Sequence, residues 1–199
     1  MGTLLGDGSL QPRKKFARLH IKHALKQLSL VDFKRSVFAE ITNMKVRQFQ
    51  QEVKGKKYYF AEFVTLTHKV FSDFYDCFYP NGHKEVPKNI GQLLVDPVSL
   101  AVLIMDDGSA ESAGLSISTH SFSKRGVKLL SQTIQNNFGI SSNLRMNKGK
   151  HILYFSKASM GLLRKLIDDL MLEDFKYKLV PYNERPRRDY TPGPDLIGI

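Results

Sequence analysis

Two short segments constrain this chain more than any other feature. Gly2-Thr-Leu-Leu-Gly-Asp7-Gly8-Ser9 and Val102-Leu-Ile-Met-Asp106-Asp107-Gly108-Ser109 are both apolar runs that close on Asp-Gly-Ser, and Asp7 and Asp107 stand 100 positions apart in 199 residues. A single apolar helix ending in an Asp-Gly turn is commonplace, because both residues suit the backbone of tight turns. Two copies at matching places mark an internal duplication. A repeat of about 100 residues implies a pseudo-twofold arrangement, the single-chain counterpart of a symmetric dimer.

The hydrophobic periodicity after each copy supports this. In the first half, residues 1–7 read as the last turns of a helix, with Gly8 as a left-handed C-terminal cap. Residues 9–23 alternate apolar Phe16, Leu19 and Ile21 with basic neighbours and read as a hairpin. Residues 24–41 have helical spacing, 46–53 and 58–65 pair around Lys54-Gly55-Lys56-Lys57, and 69–79 form a helix stopped by Pro80-Asn81-Gly82. The second half opens with Asp96 as N-cap and Pro97 as first helical residue. A strand at 114–119, a helix at 123–138, a hairpin of 142–147 and 151–155, and a helix at 159–172 follow. The expectation is a mixed α+β protein with halves at 1–82 and 97–182, a connector at 83–96 and an irregular, proline-containing tail at 183–199.

If the two motif helices pack side by side, Gly2 and Gly6 permit close backbone approach, and Asp7 and Asp107 meet at one end. Two carboxylates in a small volume repel, and one keeps its proton unless a divalent cation removes the cost. The negative ends of both helix dipoles point the same way and favour a cation too. Hard oxygen ligands of this kind suit Mg²⁺.

Charge indicates the partner. Lys and Arg number 30 against 19 Asp and Glu, a formal charge of +11, and 42% of residues are hydrophobic, enough for a folded core. Residues 1–100 carry 16 basic and 9 acidic side chains and residues 101–199 carry 14 and 10, so the excess is +7 and +4 and neither half is a mere basic tail. A polyanion, and nucleic acid before a membrane surface, is the expected partner. The single Cys77 excludes an internal disulfide framework and a Cys-based zinc site, and a reducing compartment fits. Cys77 itself reads as a small core residue. His20 and His23, three apart without further clustered ligands, do not argue for zinc. No apolar run approaches the roughly 20 residues a membrane span needs, and residues 1–7 have no signal-peptide pattern.

The paired motifs, each opening a repeat of about 100 residues in a basic chain, resemble those of the single-chain, two-motif LAGLIDADG homing endonucleases. The segments Lys84-Glu-Val-Pro87, Thr119-His-Ser-Phe-Ser123 and Tyr177-Lys-Leu-Val180 also fall where such proteins have similar stretches, so the resemblance covers nearly the whole chain. It implies a saddle of two αββαββα halves with two antiparallel sheets lying in the DNA major groove. Metal ligation falls to Asp7 and Asp107, with the neighbouring Gly6 and Asp106 as weaker candidates. Lys84 and Lys178 stand at the places of the basic residues beside the metal sites. The reaction implied is Mg²⁺-dependent hydrolysis of one phosphodiester per strand of a long asymmetric duplex target, a staggered double-strand break of the intron-homing kind, made by a monomer in an organelle or a bacterial cytoplasm. Motif one departs from the family name at Leu5 and Gly6 and motif two at Val102 and Asp106, so helix packing is expected to differ slightly.

Strand residues carry recognition, since an antiparallel ribbon fits the major groove. Arg13, Lys14, Lys15, Arg18 and Lys22, then Arg47, Lys54, Lys56 and Lys57, and in the second half Arg145, Lys148 and Lys150 are the candidates. The rival reading is a non-cleaving nucleic-acid binder of the same fold, such as a maturase that helps an intron RNA fold. Both aspartates argue against it, because a pure binder has no use for carboxylates facing a polyanion.

Overall fold

The computed structural model describes residues 1–185. Each half opens with its motif helix. Helix α1 (Gly2–Leu5) leads into β1 (Ser9–Gln11) and β2 (Arg18–Ala24), followed by α2 (Leu28–Val37), the hairpin β3 (Arg47–Val53) and β4 (Lys56–Val64), and α3 (Lys69–Phe78). A short α4 (Ile90–Leu93) lies in the expected connector. The second half repeats the order with α5 (Pro97–Asp107), β5 (Gly108–Ala110), β6 (Leu115–Ile117), α6 (Lys124–Phe138), β7 (Asn143–Asn147), β8 (Lys150–Phe155) and α7 (Lys157–Ile167). The strands form two four-stranded antiparallel sheets in the orders β1-β2-β4-β3 and β5-β6-β8-β7. The duplication therefore extends to sheet topology.

Local chemistry accounts for most boundaries. The Asp96 carboxylate accepts the Val98 N–H at 2.9 Å and Pro97 occupies the first turn of α5, the expected start. Both long hairpins turn on Lys-Gly pairs with left-handed backbone, Lys54 (φ 51°) with Gly55 (φ 74°) and Lys148 (φ 48°) with Gly149 (φ 75°). Two consecutive positive φ values are what a two-residue hairpin needs to match strand twist. The buried residues Leu100 to Ile104 make α5 apolar all round, which places it at the centre. One core cluster runs through both halves and includes Leu5, Ile21, Phe63, Leu103, Leu115 and Phe155.

Several expectations need correction. Gly8 is not a left-handed cap: its backbone runs directly into β1 and its N–H returns to Thr3 O at 2.8 Å. It must be small because a Cβ there would stand 2.6 Å from both Thr3 O and Thr3 Cγ2. The helix expected over 24–41 is broken into a 3-10 turn (Leu25–Gln27), α2 and a second 3-10 turn (Ala39–Ile41). Strand β5 was not expected, since three residues of Gly, Ser and Ala have no β-forming pattern. The 183–199 tail begins with a 3-10 turn over Tyr182–Glu184, and residues from 186 onward, including Arg187 and Arg188, lie outside the described residues. Cys77 is half-buried and packs against the core, as expected. Among the described residues no helix is long and apolar enough to cross a membrane.

Candidate functional site

Helices α1 and α5 lie against each other so closely that a Cβ on Gly2 would overlap the Ser99 carbonyl oxygen. Farther along, a Cβ on Gly6 would overlap Asp106 Oδ2 and stand 2.7 Å from Asp106 Cβ. These two glycines set the approach, and the helices end together. Asp7 and Asp107 emerge from those ends as neighbours: Asp7 is exposed, Asp107 half-buried. Burial, then the like charges of Asp7 and Asp106, push the Asp107 carboxyl up to about 7 despite Lys84 and Lys178 nearby.

The two lysines occupy equivalent places. Lys84 Nζ donates to Gly6 O (2.5 Å) and Gly8 O (2.9 Å), and Lys178 Nζ donates to Met105 O (2.6 Å), Ile104 O (3.2 Å) and Asp106 O (3.4 Å). Each ammonium thus sits on carbonyls at or just past the end of a motif helix, where most have no partner from the next turn. Neither is a solvated surface charge. Burial lowers Lys84 to about 8 against the raising effect of Asp107, Asp106 and Asp7, and lowers Lys178 likewise.

Asp106 is differently placed from the two aspartates that follow the motif. Its carboxylate is inaccessible, with Oδ1 held by Lys34 Nζ at 2.5 Å and Oδ2 accepting the Asp7 N–H at 3.1 Å. Burial raises it, and the Lys34 charge opposes that. Lys34 Nζ also donates to His23 Nε2 at 3.1 Å, which leaves the proton of a neutral imidazole on Nδ1. His23 Nδ1 lies 3.3 Å from Asp7 Oδ2 without hydrogen-bond alignment and is a buried nitrogen with no partner among the described residues. Burial, then the Lys34 charge, holds His23 below its ordinary value, so the ring is neutral. Asp7, His23 and Asp106 offer ligand atoms within 4.8 Å of one another. Crowded carboxylates with an orphaned polar nitrogen beside them fit a divalent cation and its waters. Gly6 O, Asp106 Oδ1 and Asp106 Oδ2 each already accept one hydrogen bond, from Lys84, Lys34 and the Asp7 N–H, which leaves the Asp7 and Asp107 carboxylates the less committed of the candidate ligands.

Sequence reasoning missed His23 and Lys34, although both leave a signal. His23 shares the core-facing phase of β2 with Leu19 and Ile21, and Lys34 falls on the apolar stripe of α2 with Leu30 and Val31. A charged residue at a core position is almost never buried without a partner.

The face of each sheet turned away from the helices is the candidate nucleic-acid interface. Strand alternation places Arg18 and Lys22 there with Arg47 and Lys56 on the first sheet, and Arg145 and Lys150 on the second. Lys54 and Lys148 occupy the hairpin turns, and Arg13, Lys14 and Lys15 lie exposed between β1 and β2. Lys57 alternates to the opposite face from Lys56. The same open face carries residues the sequence reading passed over: Gln11, His20, Phe49, Phe60 and Glu62. Burial opposes ionisation of Glu62, but hydrogen bonds from Arg47 and His20 and the Arg47 charge hold it below its ordinary value.

A duplicated αββαββα saddle whose motif helices close on a shared acidic centre, flanked by two open basic sheets, defines a class of nucleic-acid protein. The chain belongs to the LAGLIDADG DNA endonuclease family, which it matches over residues 1–163. It is similar to the cytochrome b mRNA maturase bI2 of Saccharomyces cerevisiae, 28% identical over 91% of this chain and 46% of the relative. It thus spans about half that relative's length. A probable intron-encoded DNA endonuclease 3 of Mycosarcoma maydis is 32% identical over 62% of this chain and 93% of its own. The solved homing endonuclease I-WcaI bound to its DNA recognition sequence shares the fold with a TM-score of 0.83 at 24% identity, covering 90% of this chain and 83% of that one.

Proposed function

We propose that this chain is a monomeric, site-specific endonuclease that hydrolyses one phosphodiester in each strand of a duplex DNA target, in the manner of intron homing, with Mg²⁺ as cofactor. The observation that carries this reading is the meeting of Asp7 and Asp107 at the common end of two packed helices, between two open basic faces. When bound there, divalent cations supply a nucleophilic water at neutral pH and steady the leaving 3′-oxygen. Asp7 and Asp107 would hold them. Lys84 and Lys178, fixed on helix carbonyls beside the pair, place positive charge where the scissile phosphates gain negative charge. The neutral His23 stands behind Asp7, with Nδ1 3.3 Å from its Oδ2, and limits where that carboxylate can turn. Asp106 orients Asp7 through the backbone N–H and leaves ligation to its neighbours. Arg18, Lys22, Arg47, Lys56, Arg145 and Lys150 track the phosphates and base edges of the major groove.

The second reading is an intron RNA maturase, which the name of the yeast relative favours. Incubating the purified chain with Mg²⁺ and DNA spanning the uninterrupted insertion site of its own gene separates the two. Two defined fragments support the nuclease; intact DNA, with splicing of the host intron restored by the protein, supports the maturase.

A further inference from the structure

The open face of the first sheet carries one carboxylate, Glu62, on a surface otherwise suited to a polyanion. It is not idle. Glu62 on β4 stands opposite Arg47 on β3, and Oε1 accepts Arg47 Nε at 3.0 Å and Nη2 at 2.5 Å. Oε2 faces His20 Nε2 at 3.1 Å, and His20 Nδ1 lies 3.0 Å from Gln11 Nε2. Gln11 Oε1 then accepts from Arg18 Nε at 3.0 Å and Arg13 Nη2 at 3.2 Å. With the His20 proton on Nε2, every donor in this row points toward Glu62, and the chain is complete with a neutral imidazole. It crosses all four strands and ends on one carboxylate.

These partners fill three of the roughly four acceptor sites of Glu62. Lys22 lies directly across from it on β2 yet turns away, with Nζ 4.1 Å from the Phe60 ring centroid and donating to Gln51 Oε1 at 3.2 Å. Arg47 is pinned from two directions, by Glu62 and by the Phe49 ring 4.5 Å from its Cζ, while its side chain stays 61% exposed. A guanidinium held along one edge and open on the other is suited to bidentate contact with guanine O6 and N7. The second sheet offers an internal comparison. Arg145 holds the equivalent place to Arg47, but its partner across the strand is Ile152 in the place of Glu62, and the guanidinium lies on the Tyr154 ring.

We propose that Glu62 is a specificity-determining positioning residue: it makes no base contact itself, and it presets Arg47, with His20 and Arg18 behind it, to read particular bases in one half of the target. The proposal rests on the site-specific DNA reading given above.

Selection from a randomised duplex DNA library without divalent cation tests it, using the full chain and the variants Glu62→Gln, Glu62→Asp, Arg47→Ala and Arg145→Ala. The unmodified protein is expected to enrich one sequence. Glu62→Gln should enrich the same sequence except at the one or two adjacent base pairs that Arg47→Ala also relaxes, where preference falls about 10-fold. Its affinity for scrambled DNA should hold or rise, since one negative charge has gone. Glu62→Asp, which keeps the charge but shortens the reach, should give the same local loss. Arg145→Ala should relax different positions. Full preference retained by both Glu62 variants, or an equal loss of affinity for all sequences, overturns the positioning role. If the unmodified protein enriches nothing, the site-specific reading itself fails and this proposal with it.

Discussion

Lys34 of the first half and Asp106 of the second form a buried ion pair across the join between the halves, with Nζ 2.5 Å from Oδ1 and both side chains at most 2% exposed. The other Asp106 oxygen takes the backbone N–H of Asp7, so one side chain ties the halves together and also orients the residue proposed to hold a cation. Removing Lys34 alone leaves a buried carboxylate uncompensated, which costs about 3–5 kcal/mol, whereas replacing both partners by apolar residues of similar volume is often neutral. Urea unfolding should therefore show a large loss for Lys34→Met and a much smaller one for Lys34→Met with Asp106→Leu. Equal losses would contradict the pairing.

Gly6 and Asp106 hold equivalent places in the two motifs, and the side chain of the second fills the space that the first leaves. Gly6→Ala should destabilise by about 1–3 kcal/mol through overpacking. Combined with Asp106→Gly, the two changes should be strongly non-additive, because the loss of the Asp106 side chain clears the atoms that the added methyl would meet, and the methyl fills part of the space left. Additive losses in denaturant titrations would place the two residues out of contact.

The Asp107 carboxyl, raised to about 7 chiefly by burial and then by Asp7 and Asp106, titrates near 3.9 in an unfolded chain. Between roughly those values the folded protein holds a proton that the unfolded chain has released. Without divalent cation, stability should fall as pH rises through that window and level off above it. At about 1.4 kcal/mol per unit the total is at most about 4 kcal/mol. Asp107→Asn should reduce the slope, leaving the contribution of the buried Asp106 carboxyl, which is also raised, and added Mg²⁺ should flatten it by neutralising the pair. Unfolding curves that show stability rising with pH through this window, and unchanged by Asp107→Asn, would disprove the crowded-carboxylate site.

DNA affinity should fall steeply with salt. Neutralising about 6 to 10 phosphates gives a log-log slope on the order of −5 to −10. Fluorescence anisotropy at several salt concentrations measures it directly, and a flat response would remove the open sheet faces as the binding surface.

The duplication, the motif helices and both long hairpins were legible because each leaves a periodic or turn-specific pattern: the Asp-Gly-Ser endings, Asp96-Pro97, and the two Lys-Gly turns. The network behind the aspartates was not read. Lys34 enters the sequence reading only through the charge count and His23 only as half of an unconvincing zinc pair, although their position on apolar faces marks them as paired. Long-range pairing such as Lys34 with Asp106 has no local signature, because it depends on how tightly Gly2 and Gly6 let the helices approach. Glu62 was passed over for a different reason. Its role follows from strand register, and until β2, β3 and β4 are aligned a lone glutamate among lysines reads as a solvated charge. Strand β5 has no pattern of its own and forms because Asp107-Gly108 delivers it to the edge of β6.

The central claim is that Asp7 and Asp107 together form the cation-dependent cutting centre. It is tested most directly by comparing cleavage and binding of the target duplex by the unmodified chain and by Asp7→Asn with Asp107→Asn in Mg²⁺. The double variant should bind the DNA with undiminished affinity and release no fragments, while the unmodified chain cuts both strands. Full cleavage by the double variant would contradict the account.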